Sequence, residues 1–340
     1  MEKREPSGNR KVVPIAEAKQ RRHKKALRES RAEAMASIPD DPDVVANFTM
    51  IGNMDLIEGN FEDAVEPFSR ALAIEPDDVD ARSGRGRAYQ ALGEHALALA
   101  DFDRAVKLEP GEARHHLNRA RALAMLGRLR QAVRACSRSI ELAPGNAGAY
   151  YTRAVYRSHV DEEDPGVRAD LDRAVELAPD QLPYLRARID RLTNGGEYDL
   201  ALADLDRAVT LAPDNAELHV LRGQCLLDVT SPWYVDTKGE ELDEAAQCRG
   251  AEAALVALAQ ALELAPKEGQ ILGRIHYAIV RARETLPDVD AFLAALDQAI
   301  VVMPDDIGLL SVRAGRRRQR GDVDGAAADR KRLEEVGYQV

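Results

Sequence analysis

The stretch that decides the fold is "DFDRAVKLEP" at residues 101–110, because the chain repeats it with few changes. Close copies are "DLDRAVELAP" at 170–179 and "DLDRAVTLAP" at 204–213. Looser copies end at four other prolines, Pro76, Pro144, Pro266 and Pro304. Successive phrase-ending prolines are separated by 34, 34, 35, 34, 53 and 38 residues. A period near 34 indicates stacked copies of one supersecondary unit.

One period, residues 79–110, has the pattern of two amphipathic helices. Small and apolar residues recur in it at helical spacing: Ala88, Leu92, Ala98, Phe102 and Ala105. Gly93 lies between the helices and can adopt the left-handed conformation that ends the first one. The proline ends the second helix, and an Asp or Asn beside it can cap the next. A single helix pair cannot bury both apolar faces, so stacking between repeats is predicted to form the core.

Small residues at fixed points of each period make the chain resemble a tetratricopeptide-repeat (TPR) protein. The resemblance rests on first-helix Gly52, Gly86, Ala120, Ala154 and Gly223, inter-helix Gly59, Gly93, Gly127, Gly196 and Gly321, and second-helix Ala64, Ala98, Ala132, Ala201, Ala254 and Ala326. It implies an all-α fold, a right-handed α-solenoid of antiparallel helix pairs. The eight implied units begin near Val45, Val79, Ala113, Ala147, Gln181, Ala216, Gly273 and Ile307.

This division predicts a basic N-terminal extension, residues 1–40, and a TPR solenoid, residues 41–340. An insertion at 228–250 interrupts the sixth repeat. Residues 1–31 carry 11 Lys or Arg against 4 Glu, and the rest of the chain has a net charge of −18. We expect the extension to be either a mobile arm or a helix docked on a partner or on the acidic repeats.

Most repeats carry an arginine just before the small first-helix residue, and many carry aspartates on the second helix. These arginines are Arg85, Arg119, Arg153, Arg188, Arg222 and Arg313. We interpret the pattern as a ladder of ion pairs between helices, in which each pair contributes little where it is exposed. Arg119 and Arg222 lack such an aspartate in their own repeats, so they are expected to use the preceding repeat.

No motif for catalysis or cofactor binding occurs, since GxSxG, HExxH, GxxxxGK[ST] and a GxGxxG after a strand are all missing. The neighbours His115 and His116 would point about 100° apart on a helix, which favours packing over metal binding. Cys136, Cys225 and Cys248 form no CxxC pair, and Cys136 is expected in the core. The sequence predicts a non-enzymatic protein without cofactor or metal.

The chain also lacks the features of membrane or secreted proteins. It has no run of about 18 uncharged apolar residues, and no apolar segment of a signal peptide near the N-terminus. We therefore expect a cytoplasmic protein without a transmembrane span.

The third repeat, residues 113–146, is the basic exception in an acidic chain. It contains seven arginines, and Glu141 is its single acidic residue after the first helix begins. An isolated basic band attracts anionic groups, and arginine binds carboxylate or phosphate through two hydrogen bonds. The alternative is that these arginines neutralise the neighbouring acidic repeats.

In many TPR proteins the first helices line a concave groove that binds peptides. The resemblance places six residues in this groove: Asn53, Arg87, Asn118, Arg121, Tyr151 and Val155. Arg114 is expected at its rim. The two-carboxylate clamp of chaperone-binding members is matched only at Asn53 and Arg114, so the resemblance does not extend to that clamp.

The insertion contains the only tryptophan, Trp233, beside Tyr234. Exposed aromatic residues of this kind anchor protein partners, so the pair is a candidate binding site. The alternative is that Trp233 folds back over the repeat face that the insertion opens.

The favoured function is a scaffold or adaptor whose groove binds a peptide segment, acidic or phosphorylated, of a partner protein. The alternative is a regulatory or assembly subunit held in a larger complex by the basic extension and the 228–250 insertion. Association with nucleic acid is less favoured, because phosphate contacts need positive charge and the body of the chain is acidic.

Overall fold

The computed structural model describes residues 43–239, 243–265 and 270–338, and these residues form helices and no strand. The helices are α1 (Val44–Glu58), α2 (Phe61–Ile74), α3 (Val79–Ala91), α4 (His95–Leu108), α5 (Ala113–Met125), α6 (Leu129–Leu142), α7 (Ala147–Val160), α8 (Pro165–Leu177), α9 (Leu182–Asn194), α10 (Tyr198–Leu211), α11 (Ala216–Val229), α12 (Pro232–Lys238), α13 (Glu244–Leu264), α14 (Gln270–Thr285), α15 (Val289–Val302), α16 (Ile307–Gln319) and α17 (Val323–Glu335). The predicted N-terminal extension, residues 1–40, lies outside the described residues.

The chain divides into two compact units, one up to Val167 and one from Arg168 onward. Within the first unit, α1 packs on α2, α3 on α4 and α5 on α6, and the first helices α1, α3 and α5 also contact one another in sequence. Within the second unit, α9 packs on α10, α11 on α13, α14 on α15 and α16 on α17. The predicted all-α fold of antiparallel helix pairs is confirmed.

Phenylalanines of the second helices pack against glycines of the first helices. Phe68 and Phe102 are fully buried. A Cβ atom added to Gly84 would lie 2.3 Å from Phe68 Cζ, and one added to Gly86 would lie 2.7 Å from Phe102 Cε1. The missing side chains therefore let the aromatic rings lie directly on the helix backbone, which gives the close packing of a protein interior.

The turns use the residues that the sequence pattern predicts. The five inter-helix glycines all have positive φ: Gly59, Gly93, Gly127, Gly196 and Gly321. At the starts of helices, the Asp78 side chain accepts a hydrogen bond from Ala81 N at 2.5 Å, and Asn146 accepts one from Ala149 N at 3.2 Å. Such caps satisfy backbone N–H groups that have no partner inside the helix.

The described part of the 228–250 insertion is largely helical. It supplies α12 and the first turns of α13, which extends to 21 residues. The Ser231 side chain accepts a hydrogen bond from Tyr234 N, and Pro232 occupies the first helical position. Gly239, with φ of 69°, then ends the helix. These three local features determine where the short helix begins and ends: a serine cap and a proline at its start, and a left-handed glycine at its end.

Candidate functional site

The first-helix face of the first unit contains a cavity of about 250 Å³. Its lining comes from α3, α5 and α7: Gln90, Arg121, Met125, Tyr151, Thr152, Val155 and Tyr156. The structure thus brings together three of the residues predicted to line the groove, Arg121, Tyr151 and Val155. Asn53 lies on α1, Arg87 on α3 and Asn118 on α5, and none of these three lines the cavity.

Arg87 and Arg121 occupy equivalent turns of successive first helices, 34 residues apart. Both are exposed, and neither forms an ion pair or a hydrogen bond with any residue that the structure describes. A guanidinium group without a carboxylate partner keeps its hydrogen-bond donors for an incoming anion. These two arginines therefore differ from most of the basic residues around them.

Arg114 is already compensated by acidic neighbours. Its Nη2 lies 3.1 Å from Asp80 Oδ1, and its Nε lies 3.7 Å from Glu112 Oε1. All three side chains are exposed, so each contact is weak. The alternative interpretation of the basic band, local charge balance, therefore describes Arg114. Asn118, on the same helix, is half-buried.

Tyr156 is a cavity residue that the sequence analysis missed. Burial raises its pKa to about 12, against an opposing effect of the nearby Arg121 cation. The phenol is protonated at neutral pH and can donate a hydrogen bond. The repeat register could have identified it. The equivalent residues of the two preceding repeats are Ala88 and Ala122, which are both buried, so a packed position was to be expected for Tyr156.

Five of the six arginines of the predicted ladder bond to second-helix aspartates, and Arg153 donates to Ser137 Oγ at 3.0 Å. Arg85 donates from Nε and Nη2 to the two carboxylate oxygens of Asp101, both at 2.8 Å. These hydrogen bonds, outweighing partial burial, raise the pKa of Arg85. Arg119 bonds to Asp103 at 2.5 Å and Arg222 to Asp206 at 2.6 Å. The prediction that these last two use the preceding repeat is confirmed.

Two histidines and one cysteine that the sequence singled out behave as structural residues. His115 Nε2 lies 3.0 Å from a Glu109 carboxylate oxygen, and His116 Nε2 donates to the Pro110 carbonyl at 3.0 Å. Cys136 is fully buried, as predicted. In the described part of the chain, no three His, Cys, Asp or Glu side chains form a group that could hold a metal ion.

The aromatic pair of the insertion separates into one exposed and one buried residue. Trp233 is 64% exposed, whereas Tyr234 is 4% exposed. The Tyr234 hydroxyl donates to Asp199 Oδ2 at 2.7 Å, and its ring lies 5.3 Å from that of Tyr198. The prediction of Tyr234 as an exposed binding residue is therefore wrong, because its hydroxyl has a partner on α10. Trp233 remains a candidate.

Among the helices that the structure describes, none has the length and apolar character needed to cross a membrane.

Comparisons with known proteins agree with this architecture. A family described as tetratricopeptide repeat matches residues 84–147 and 186–228, and one described as TPR repeat matches residues 52–93. No curated protein matches the chain.

Three solved structures illustrate the similarity. PilF of Pseudomonas aeruginosa is 19% identical with a TM-score of 0.51, over 70% of this chain and 95% of that one. A tetratricopeptide repeat protein from Parabacteroides merdae is 18% identical with a TM-score of 0.48, over 79% and 97%. YrrB, described as a TPR protein with an unusual peptide-binding site, is 18% identical with a TM-score of 0.47, over 65% and 99%. The family matches identify residues 52–147 and 186–228 as tetratricopeptide repeats, and the helix-pair fold of the described residues agrees with them.

Proposed function

We propose that this chain is a non-enzymatic, cytoplasmic scaffold or adaptor whose first-helix face on α3, α5 and α7 binds a peptide segment of a partner protein. The tetratricopeptide-repeat fold supports a role in protein–protein interaction in general. The finer proposal is that the bound segment carries an acidic or phosphorylated group, which Arg87 and Arg121 contact.

The observation that carries this proposal is the absence of partners for Arg87 and Arg121 among the described residues. Arg85, Arg114 and Arg119, by contrast, all contact carboxylates. An exposed arginine that only balances charge is expected to lie next to an acidic side chain, as Arg114 does. Two uncompensated guanidinium groups in equivalent turns instead form a site for anions along the face.

The cavity beside Arg121 supplies the second requirement of a peptide site, which is a place for an apolar side chain. Met125, Tyr151 and Val155 contribute apolar surface to its lining, and the Tyr156 hydroxyl adds a polar group. Peptide sites combine apolar pockets with a few polar groups that fix orientation. We therefore expect the bound segment to place an apolar residue next to its acidic group.

The test uses fluorescein-labelled peptides in which an acidic or phosphorylated residue stands beside an apolar one, with binding measured by fluorescence anisotropy. The double variant Arg87→Glu/Arg121→Glu should weaken binding at least about tenfold. Each lost charge-assisted hydrogen bond contributes about 1.5–3 kcal/mol, and 1.4 kcal/mol corresponds to a factor of ten. Binding to the unmodified protein should also weaken as salt rises from about 0.1 to 1 M.

The matched control is Arg128→Glu/Arg130→Glu, which makes the same charge change in the repeat of Arg121, away from the cavity. It should leave peptide affinity within about twofold, because exposed charges act weakly at a distance. Equal losses in both double variants would show a general charge effect and would overturn the site. If neither double variant loses affinity, Arg87 and Arg121 do not contact the peptide, and the proposed site is wrong.

The exposed Trp233 favours the alternative, a regulatory or assembly subunit held through the insertion and the basic extension. A tryptophan with 64% exposure on a short helix presents an apolar ring to a partner. If this alternative is correct, Trp233→Ala should release the protein from its native complex on size-exclusion chromatography, and Arg87→Glu/Arg121→Glu should not. The reverse result would favour the groove.

A further inference from the structure

Each ladder arginine faces two partner positions, one 16 residues after it and one 16 residues before it. Arg188 uses both, since it bonds to Asp204 and to Asp172. Arg313 bonds in the same way to Asp329 and Asp297. The forward and backward positions lie on the second helices of the arginine's own repeat and of the preceding one. They hold aspartates for Arg188 and Arg313, whereas the backward position holds Ser69 for Arg85 and Ser137 for Arg153.

In the third repeat the forward position holds an alanine. Arg119 bonds backward to Asp103 through Nε, and 16 residues after it comes Ala135, which is 3% exposed. The two Nη groups of Arg119 have no hydrogen-bond acceptor in the part of the chain that the structure describes. The repeat thus keeps the cation of the ladder but lacks its forward carboxylate.

A cavity of about 260 Å³ lies where that carboxylate would be. Its lining comes from α5 and α6: His116, Arg119, Gln131, Arg134, Ala135 and Arg138. Arg134 has no ion pair or hydrogen bond with another described residue. Gln131 accepts from Arg128 through Oε1, so its amide NH₂ group remains available as a donor. Hydrogen-bond donors therefore surround a space in which the forward aspartate would lie if Ala135 were an aspartate.

We propose that this cavity is a binding site for a phosphate group, distinct from the first-helix groove. Three guanidinium groups line it, and the carboxylates they contact are Asp103 on Arg119 and Glu141 on Arg138. The cavity therefore has an excess of positive charge that a bound anion neutralises. Arginine's planar fork suits phosphate oxygens, and charge-assisted hydrogen bonds are the strong ones.

Phosphate fits the site better than a carboxylate. The forward carboxylates of other repeats meet at most two guanidinium groups among the described residues, as Asp101 meets Arg85 and Arg82. Around Ala135, Arg134 and Arg138 flank the same space together with Arg119. A tetrahedral anion has more acceptor oxygens than a carboxylate, and it can accept from several guanidinium groups at once. The phosphate can be free or part of a phosphorylated protein side chain.

The experiment titrates the full chain with sodium phosphate at constant pH and ionic strength, with sodium acetate in parallel, and follows the melting temperature and the Arg Nε–H resonances. Phosphate should raise the melting temperature progressively as its concentration increases, because it binds only the folded site. It should also shift the Arg119 and Arg134 resonances, and acetate should do neither. A phosphoserine peptide that binds more tightly than inorganic phosphate would assign the ligand to a phosphorylated protein; equal affinity would assign it to free phosphate.

Ala135→Asp restores the ladder carboxylate, so it should raise the melting temperature without phosphate and abolish the phosphate effect. Arg134→Gln, on an exposed residue that will not disturb folding, should weaken phosphate binding at least about tenfold. The control Arg130→Gln, on the same helix but outside the cavity, should bind phosphate normally. Arg87→Glu/Arg121→Glu should also leave the phosphate response intact, which separates this site from the peptide groove. An unchanged response in Arg134→Gln, or no response in the unmodified protein, would overturn the proposal.

Discussion

Arg188 joins Asp204 and Asp172, which lie 16 residues after it and 16 residues before it in the chain. Its Nη2 lies 2.5 Å from Asp204 Oδ1, its Nε 2.7 Å from Asp204 Oδ2 and its Nη1 3.3 Å from Asp172 Oδ1. Asp172 lies on α8 and Asp204 on α10, the second helices of successive repeats. One side chain therefore forms hydrogen bonds with the second helices of two successive repeats, and these contacts couple the stability of one repeat to that of the other.

Removing the buried partner of this contact should destabilise the second unit. Asp204 is buried, so Asp204→Ala leaves Arg188 without its two shortest hydrogen bonds. We expect a loss of about 1.5–3 kcal/mol in the free energy of unfolding, measured with urea. The control Asp206→Ala breaks the Arg222 contact of an aspartate side chain that is 62% exposed, and it should cost only about 0.2–1 kcal/mol. Equal costs would mean that burial does not strengthen the ladder.

Two helical glycines should respond in opposite directions to the same substitution. A Cβ atom at Gly84 would meet the Phe68 ring at 2.3 Å, so Gly84→Ala should lower the free energy of unfolding by about 1–3 kcal/mol. Gly315 in α16 has open space around its Cα, so Gly315→Ala should raise it by about 0.5–1 kcal/mol. Thermal melts of the two variants test the packing, and a gain in both would show that the Phe68 ring can move aside.

The cysteines should differ in reactivity. Cys136 and Cys225 are buried and Cys248 is partly exposed, and burial raises the pKa of Cys225 to about 12. Since the thiolate is the reactive form, a thiol reagent at neutral pH should label Cys248 first and Cys225 only on unfolding. Fast loss of a second thiol from the folded protein would contradict this order, and the Cys248→Ser variant should lose the fast phase.

The same shift predicts a pH effect on stability. The folded pKa of Cys225 lies above its ordinary value of 9.0, so the unfolded chain releases the proton at lower pH. Its contribution to stability is complete below about pH 9 and is lost as pH rises towards 12. Cys225→Ala should therefore flatten the alkaline part of the stability profile in urea titrations, and Cys248→Ala should leave it unchanged.

The neighbours Trp233 and Tyr234 should separate stability from binding. Tyr234→Phe removes the hydroxyl that donates to Asp199, and it should lower the free energy of unfolding by about 1.5–3 kcal/mol. Trp233→Ala changes an exposed side chain and should stay within about 0.5 kcal/mol. A large destabilisation by Trp233→Ala would show that its ring packs on the repeats.

The sequence predicts the helix pairs because the signals for them are local. Glycine with positive φ, proline after the second helix and capping aspartate each act within a few residues, as Gly93 and Asp78 show. The ladder was also predictable, since a fixed period carries Arg85 and Asp101 into equivalent places.

The candidate sites were predicted less well because they depend on which side chains meet across repeats. The groove cavity lies mainly between α5 and α7. A prediction from the repeat register alone therefore placed Arg87 in the groove, although it does not line the cavity, and omitted Tyr156, which does. Tyr234 is buried through a bond to Asp199, 35 residues away in the chain. No periodic pattern encodes such a contact, because the insertion occurs once.

The equal spacing of the two ladder partners makes whole repeats exchangeable. Deleting residues 181–214 would join Asp180 to Asn215 and recreate the "LAPDNA" junction that the chain already has at 211–216. Asp172 would then stand 16 residues before Arg222, in the place that Asp206 holds now. The shortened protein would keep its turn, its helix cap and its cation–carboxylate contact. We therefore expect a chain that is shorter or longer by one such repeat to fold, and unequal recombination between the repeated gene segments makes this change in a single step.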